Sequence, residues 1–306
     1  MRDSLDSDSV GAALVTSGRP WRGLEFHPAL GSTNTRLREL LTGRAAGSSP
    51  GPYAVSPGPG GGALWWVVAT DHQTGGRGRL GRAWTVPDRA SLAVSAAVPV
   101  MDPAQAGWLP LLAGLALARA VREVSRAAGH EISPQLKWPN DVLVPEDGDR
   151  KLSGILCELV AVDGGQAVVV GTGVNVDQAR EELPVDTATS LALAGVQVRR
   201  EDLIVAYLDR LAEVLTDAGI TPVAEHPGRP PAQPGPDPAR ARAAYREACS
   251  TIGKAVRVHL PTGDAAVGTA EAVDDDGALV VRTDRGTRAF AAGDVVHVRP
   301  GGDGLA

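Results

Sequence analysis

The chain has 306 residues, enough for one large domain or a large domain with a small companion, and its 43% apolar content supplies a sizeable core. A formal charge of −6 argues against a general nucleic-acid binder, and two cysteines, Cys157 and Cys249, are too few for a disulfide framework. The acidic N-terminus, MRDSLDSDSV, is not a signal peptide, and no apolar run reaches the ~20 residues needed to cross a bilayer, so a soluble cytoplasmic protein is expected.

Residues 1–20 are polar and small and read as a flexible leader. WRGLEFHPAL (21–30) reads as a strand; Ser32 or Thr33 then caps a helix carrying Leu37, Leu40 and Leu41 on its apolar side. Residues 43–63 form a Gly/Pro/Ser loop. LWWVVAT (64–70) and SLAVSAAVPV (91–100) are buried-strand candidates. The strongest helical pattern follows, with Trp108, Leu111, Leu115, Ala118 and Val121 along one side. ILCELVAV and QAVVVGTGVNV read as an antiparallel pair joined at Asp163-Gly164-Gly165. A second helix runs to Gly219, then comes a proline-rich insert (222–238) and a short helix near 238–250. From residue 253, short strands recur every 8–12 residues with turn glycines, the pattern of a small β-barrel. About fifty residues make a weak core alone, so this unit should dock on the rest. The division expected is a main domain over 21–250 and a barrel over 251–306.

The segment DHQTGGRGRLGRAW (71–84) contains G-x-G-x-x-G. A dinucleotide-binding fingerprint must open a helix, and Pro87 with the β-formers before it denies one. What remains is a glycine-rich loop with Arg77, Arg79 and Arg82 inside six residues. Three guanidinium groups so close repel one another unless solvated or met by anions. A solvated charged hairpin is the plain reading; Gln73 just upstream and Trp84 just downstream favour a ligand with anionic groups and a flat ring. The chain holds 27 arginines but only three lysines, Lys137, Lys151 and Lys254. In so arginine-rich a chain, Lys151 ahead of a buried-looking strand stands out as functional, whereas Lys254 reads equally as a surface residue.

Taken with Gly31-Ser32-Thr33-Asn34, Lys137-Trp138-Pro139-Asn140-Asp141, Lys151-Leu152-Ser153-Gly154-Ile155-Leu156-Cys157-Glu158 and Gly171-Thr172-Gly173-Val174-Asn175-Val176, this loop resembles the biotin protein ligases. The resemblance covers about 21–299. It implies an α+β fold: a mixed, largely antiparallel central sheet with helices, of the class II aminoacyl-tRNA-synthetase-like biotin/lipoate ligase type, followed by an SH3-like barrel. It implies an ATP-dependent ligase that converts biotin to biotinyl-5′-AMP and then forms an amide with a carrier lysine. By position the biotin side matches Ser32, Thr33, Asn34, Gln73, Arg77, Gly78, Arg79, Lys151 and Gly154. The ATP side matches Arg79, Arg82, Trp84, Lys137, Asn140 and Asn175, and Asp141 would hold Mg2+. Arg77, Arg79 and Lys151 are the catalytic cations expected to screen two meeting anions.

The implied partner is the biotin carboxyl carrier domain of an acyl-CoA or pyruvate carboxylase, met by a monomer or weak dimer, with no nucleic acid and no membrane. About thirty residues precede Ser32, too few for the winged helix of some relatives. Asn175 is either a satisfied buried amide or a nucleotide contact, and Ser32-Thr33-Asn34 can cap a helix and touch a ligand together. Cys157 has no histidine near it in sequence, in keeping with a reaction that needs no enzyme nucleophile. The rival readings are a lipoate or octanoate ligase on a related fold and a non-enzymatic phosphate-binding module.

Overall fold

The structure is a computed structural model, and it describes residues 2–16, 19–43, 64–100, 102–162, 165–220, 236–260, 263–291 and 293–298. Most of the 43–63 loop and of the 222–238 insert, and the turn at 163–164, lie outside the described residues. A seven-stranded sheet runs in the order β1-β2-β3-β7-β6-β5-β4, built from β1 (Gly23–Leu30), β2 (Trp66–Gln73), β3 (Ser91–Pro99), β4 (Gln135–Lys137), β5 (Asp141–Val144), β6 (Arg150–Val162) and β7 (Gly165–Asn175). Only the β1–β2 pairing is parallel, so the sheet is mixed and largely antiparallel as expected.

Period-two alternation sorts each apolar strand onto two cores. Val67 and Ala69 of β2 and Val168 and Val170 of β7 join the larger core, under α3 (Leu109–Ala127) and α4 (Arg200–Asp217). Trp66, Val68, Ala167 and Val169 face the other way, onto Leu37 and Leu41 of α2 (Thr33–Leu41). Two-sided burial explains why these strands read as continuous hydrophobic runs. The expected helices are all present; α4 ends at Asp217 with Gly219 at φ +66 just beyond it, and α5 (Pro238–Ala248) follows the insert.

The C-terminal unit is a five-stranded antiparallel sheet, β11-β10-β9-β8-β12, made of β8 (Ala255–His259), β9 (Ala265–Val273), β10 (Leu279–Thr283), β11 (Gly286–Phe290) and β12 (Asp294–His297). Its apolar residues Val256, Val258, Leu279 and Val281 are continuous with the main core, so it docks. The buried indoles of Trp108 and Trp138 donate across the junction to the carbonyls of Asp275 (2.8 Å) and Gly277 (3.0 Å). Tryptophan suits this seam, because it fills an apolar contact while satisfying one buried acceptor.

The leader is where the structure departs from expectation. Residues 7–14 form a helix, α1 (Ser7–Leu14), N-capped by Asp6, which accepts from Ser9 N at 3.0 Å. Leu5, Val10 and Leu14 are buried against β1 and α4, and Arg19 forks onto Asp209 of α4 at 2.6–2.7 Å. Three well-spaced apolar residues outweigh the polar composition once a partner face, some 190 residues away in sequence, is provided. No helix among the described residues is long and apolar enough to cross a membrane. Leu14→Ala is expected to destabilise the protein by about 2–5 kcal/mol, the usual effect of emptying a fully buried leucine site; a urea titration measures it, and a mobile leader would give no change.

Candidate active site

A cavity of about 1290 Å³ is bordered by residues of both the main sheet and the docked small sheet. Every residue expected in the site from the sequence borders this one cavity. Their chemistry divides it into a neutral polar end and a cationic end.

At the polar end, Ser32 caps α2 by accepting from Thr35 N, which places Thr33 and Asn34 in the first turn. Gln73, the last residue of β2, accepts through Oε1 from Thr33 N (3.0 Å) and Thr33 Oγ1 (3.2 Å). Asn34 is 5% exposed; its amide donates to Glu158 Oε2 (2.7 Å) and the Leu156 carbonyl (3.2 Å), and its Oδ1 accepts from Ser95 Oγ (2.6 Å). Capping and cavity lining therefore coexist in the same turn. Ser95 and Glu158 were not anticipated as supports; the signal was there, in single polar residues interrupting apolar strands.

The arginine loop is a narrow hairpin and opens no α-helix. Trp84 N donates to Gly76 O (2.9 Å) and Gly78 N to Arg82 O (2.7 Å), and the tip is one 3-10 turn over Arg79–Gly81. Two glycines of β7 make room beneath it. A Cβ at Gly173 would stand 2.6 Å from the Trp84 indole, and one at Gly171 only 2.0 Å from Asn34 Oδ1. The G-x-G of the GTGVN string is thus a steric device: the strand's bare backbone lets a tryptophan and a carboxamide lie directly on the sheet. The Trp84 Nε1–H is buried and has no acceptor in the structure.

The other end is cationic. Arg79 donates to Asn140 Oδ1 (3.4 Å), and Asn140 in turn donates to Ile155 O (2.9 Å). Burial lowers the Arg79 pKa against the pull of Asp294 and Asp141. Arg82 pairs with Asp294 of β12 (2.8 Å), tying the loop to the small sheet, and Arg77 turns away to donate to Thr35 Oγ1. Lys151 is pinned through its backbone, whose N–H donates to Thr187 O and whose carbonyl accepts from Thr189 N, both at 2.8 Å. Its ammonium meets Asp141 Oδ1 at 2.6 Å. Lys137 ends β4 opposite Asp141 in register and makes no ion pair among the described residues. Burial lowers its pKa, and the neighbouring Lys151 and Lys254 push the same way against Asp141 and Asp294. His297 is pushed down to about 4 by burial and by Lys137 and Lys254, so it stands neutral at pH 7. Lys254 reaches across to Asp149 at 3.5 Å.

Asp141 is a counter-ion to Lys151, and no group of three or more His, Cys, Asp or Glu side chains able to hold a metal occurs among the described residues. Asn175 borders the cavity with its amide already satisfied, donating to Thr189 O (2.8 Å) and accepting from Gln178 (3.0 Å). Cys157 is neutral, its thiol pushed up to about 12 by burial.

The chain matches two family models. Residues 65–175 match the biotin/lipoate A/B protein ligase family and residues 251–298 the biotin protein ligase C terminal domain. Fold and site together define a ligase of the biotin and lipoate class. The chain is also 37% identical, over 98% of its own length and 98% of the other's, to a biotin–[acetyl-CoA-carboxylase] ligase of Mycobacterium tuberculosis. A bifunctional ligase/repressor BirA of Bacillus subtilis is 28% identical over 89% of this chain and 73% of its own. The biotin protein ligase of Aquifex aeolicus in complex with biotin and ATP shares the fold, with a TM-score of 0.65 at 24% identity, covering 91% of this chain and all of that one. The chain belongs to the biotin protein ligase family.

Gly171→Ala tests the polar end. Its Cβ must displace the Asn34 carboxamide, so the apparent affinity for biotin, measured by calorimetry, is expected to fall at least tenfold while the protein still folds; unchanged affinity would remove Asn34 from the site.

Proposed function

We infer that this cavity carries out both steps of biotin attachment. The chain is an ATP-dependent, AMP-forming ligase: it activates biotin to biotinyl-5′-AMP and passes the biotin to a lysine of a biotin carboxyl carrier domain. The observation that carries the assignment of roles is the joining, in one cavity, of a preorganised neutral pocket to a partly buried cluster of cations beneath a glycine-rich loop.

In the first step the biotin carboxylate attacks the α-phosphorus of ATP and pyrophosphate leaves. Two anions have to touch. At 4 Å and an effective dielectric near 20, two unit charges repel by about 4 kcal/mol, so fixed cations at the meeting point lower the barrier directly. Arg79 and Lys151 face that point, with Arg77 and Gly78 closing over the biotin side. Lys151 arrives held by Asp141, which keeps its ammonium in place until phosphate oxygens share it. Lys137 has burial without a partner among the described residues, and an anion bound there would restore its ordinary proton affinity; this is the physical case for a nucleotide phosphate at Lys137. Ser32, Thr33, Asn34, Gln73 and Gly154 line the biotin side; Arg82, Trp84, Asn140 and Asn175 the nucleotide side, with the Trp84 face available for a flat base.

Mg2+ enters as part of the ATP substrate, and Asp141 is the protein carboxylate proposed to meet it. In the second step the acceptor amine attacks the mixed anhydride, an amide forms and AMP leaves. Excluding water until that amine arrives is the task of the loop over the cavity. The acceptor is proposed to be the carrier of an acyl-CoA or pyruvate carboxylase, met in the cytoplasm by a monomer or weak dimer.

Pyrophosphate release on mixing the protein with biotin and ATP measures the first step alone. Lys151→Ala is expected to slow it ten- to hundredfold or more, since a lost charge-assisted hydrogen bond costs about 1.5–3 kcal/mol; a near-wild-type rate would exclude Lys151 from the chemistry.

A further inference from the structure

The N-terminal residues Arg2–Leu5 lie as a strap across the base of the arginine loop. Their contacts converge on Asp71, a carboxylate only 1% exposed, two residues before Gln73 in β2. Ser4 Oγ donates to Asp71 Oδ2 (2.5 Å), Leu5 N donates to Oδ1 (3.1 Å), and Arg200 of α4 pairs with Oδ1 at 2.7 Å. A carboxylate so deeply buried needs such partners, because isolated burial of its charge is strongly unfavourable.

The far limb of the loop returns to the same place. Arg89 N donates to Asp71 O (3.1 Å), and its guanidinium donates to Arg2 O (3.3 Å) and stands 3.8 Å from Asp71 Oδ2. Arg89 is held at φ +59, a left-handed conformation that a non-glycine residue adopts when its surroundings impose it. The strap also reaches the chain that leads into the opposite wall of the cavity: Arg2 donates to Asp177 O (2.7 Å) and forks onto Glu182 at 2.5 and 3.1 Å, just ahead of the 184–188 segment that lines it. Arg200, besides pairing with Asp71, donates to Asp3 O (2.7 Å) and Ser91 O (3.4 Å). Both ends of the loop, the start of β3 and the facing wall are therefore joined through one buried carboxylate and four strap residues.

We propose that Asp71 is a positioning residue for biotin activation, and that the strap Arg2–Leu5 fixes, through it, the height at which the arginine loop and Gln73 stand over the cavity. This rests on the biotin ligase reading. Asp71 touches no substrate; it acts through the two limbs of the loop. The strap is thus a working part of the site, contributed by the stretch of sequence that looked least structured.

Asp71→Asn leaves Arg200 buried without its counter-charge and can fail to fold, so the test uses the double variant Arg2→Ala, Ser4→Ala, which cuts the strap and leaves the Asp71–Arg200 pair. Two readouts are taken on the full chain: the KM for biotin against kcat in pyrophosphate release, and the rate of trypsin cleavage after Arg77, Arg79 or Arg82, located by mass. Leu117→Ala, a buried change in α3 that does not border the cavity, is the control for general destabilisation. The expected result is a biotin KM raised at least tenfold with a smaller change in kcat, and cleavage within the loop several times faster, neither seen in the control. Unchanged KM and cleavage in the double variant, or equal effects in Leu117→Ala, would overturn the proposal. If the wild-type chain released no pyrophosphate, the functional reading would fail by itself, and the cleavage arm would still decide whether the strap holds the loop.

Discussion

Like charges have to be held together in this protein without a ligand present. Arg77, Arg79, Arg82, Lys137 and Lys151 border one cavity, and two of them are buried enough that their proton affinity falls. The fold answers with separate restraints. Arg82 is drawn onto Asp294, Lys151 onto Asp141, Arg77 outward onto Thr35, and Arg79 leans on an Asn140 that is itself tied to the strand behind it. Of the five, only Lys137 has neither an ion pair nor a side-chain hydrogen bond among the described residues. A site arranged so that charge is tolerated but incompletely offset is a site poised for anions, and the reaction supplies two of them at once.

The rest of the architecture makes that arrangement possible. The sheet is buried on both faces, so its strands are rigid enough to carry a loop without support from a helix at its end. β7 gives up side chains at Gly171 and Gly173 where Asn34 and Trp84 need the space. The small C-terminal sheet is too slight to stand alone, yet anchored by two buried indoles it brings Asp294, His297 and Lys254 to the cavity edge. The second domain is thus a wall of the site as well as an appendage. On the proposed function, specificity and catalysis share one framework: the neutral hydrogen-bonded end would discriminate by shape and donor pattern, and the cationic end by charge.

Much of this was legible in the sequence, for local reasons. The Ser32 cap, the antiparallel β6–β7 pair, the two long helices and the late run of short strands each announce themselves through spacing within ten or twenty residues. The refusal of G-R-G-R-L-G to open a helix followed from Pro87 and the β-formers before it. What could not be read depends on distant partners. α1 and the residues just before it have only Leu5, Val10 and Leu14 as buried large apolar side chains, and their value appears once α4 lies against the helix. Asp141 reads as a metal ligand until β5 and β6 pair and set it beside Lys151. Asp71 passes for an ordinary strand-end aspartate; nothing within its neighbourhood in sequence shows that residues 2–5 and Arg200 will close over it. Ser95 and Glu158 were visible as polar interruptions, but which side chain they would hold was not.

The central claim is that the arginine loop and the cations below it form the meeting place of carboxylate and phosphate. A crystal structure of the protein with biotin and a non-hydrolysable ATP analogue tests it most directly. The account requires the α-phosphate within hydrogen-bonding distance of Arg79 or Lys151, with a further phosphate at Lys137 and the loop drawn over both ligands. Nucleotide bound outside the cavity, with the loop standing away in solvent, would contradict it.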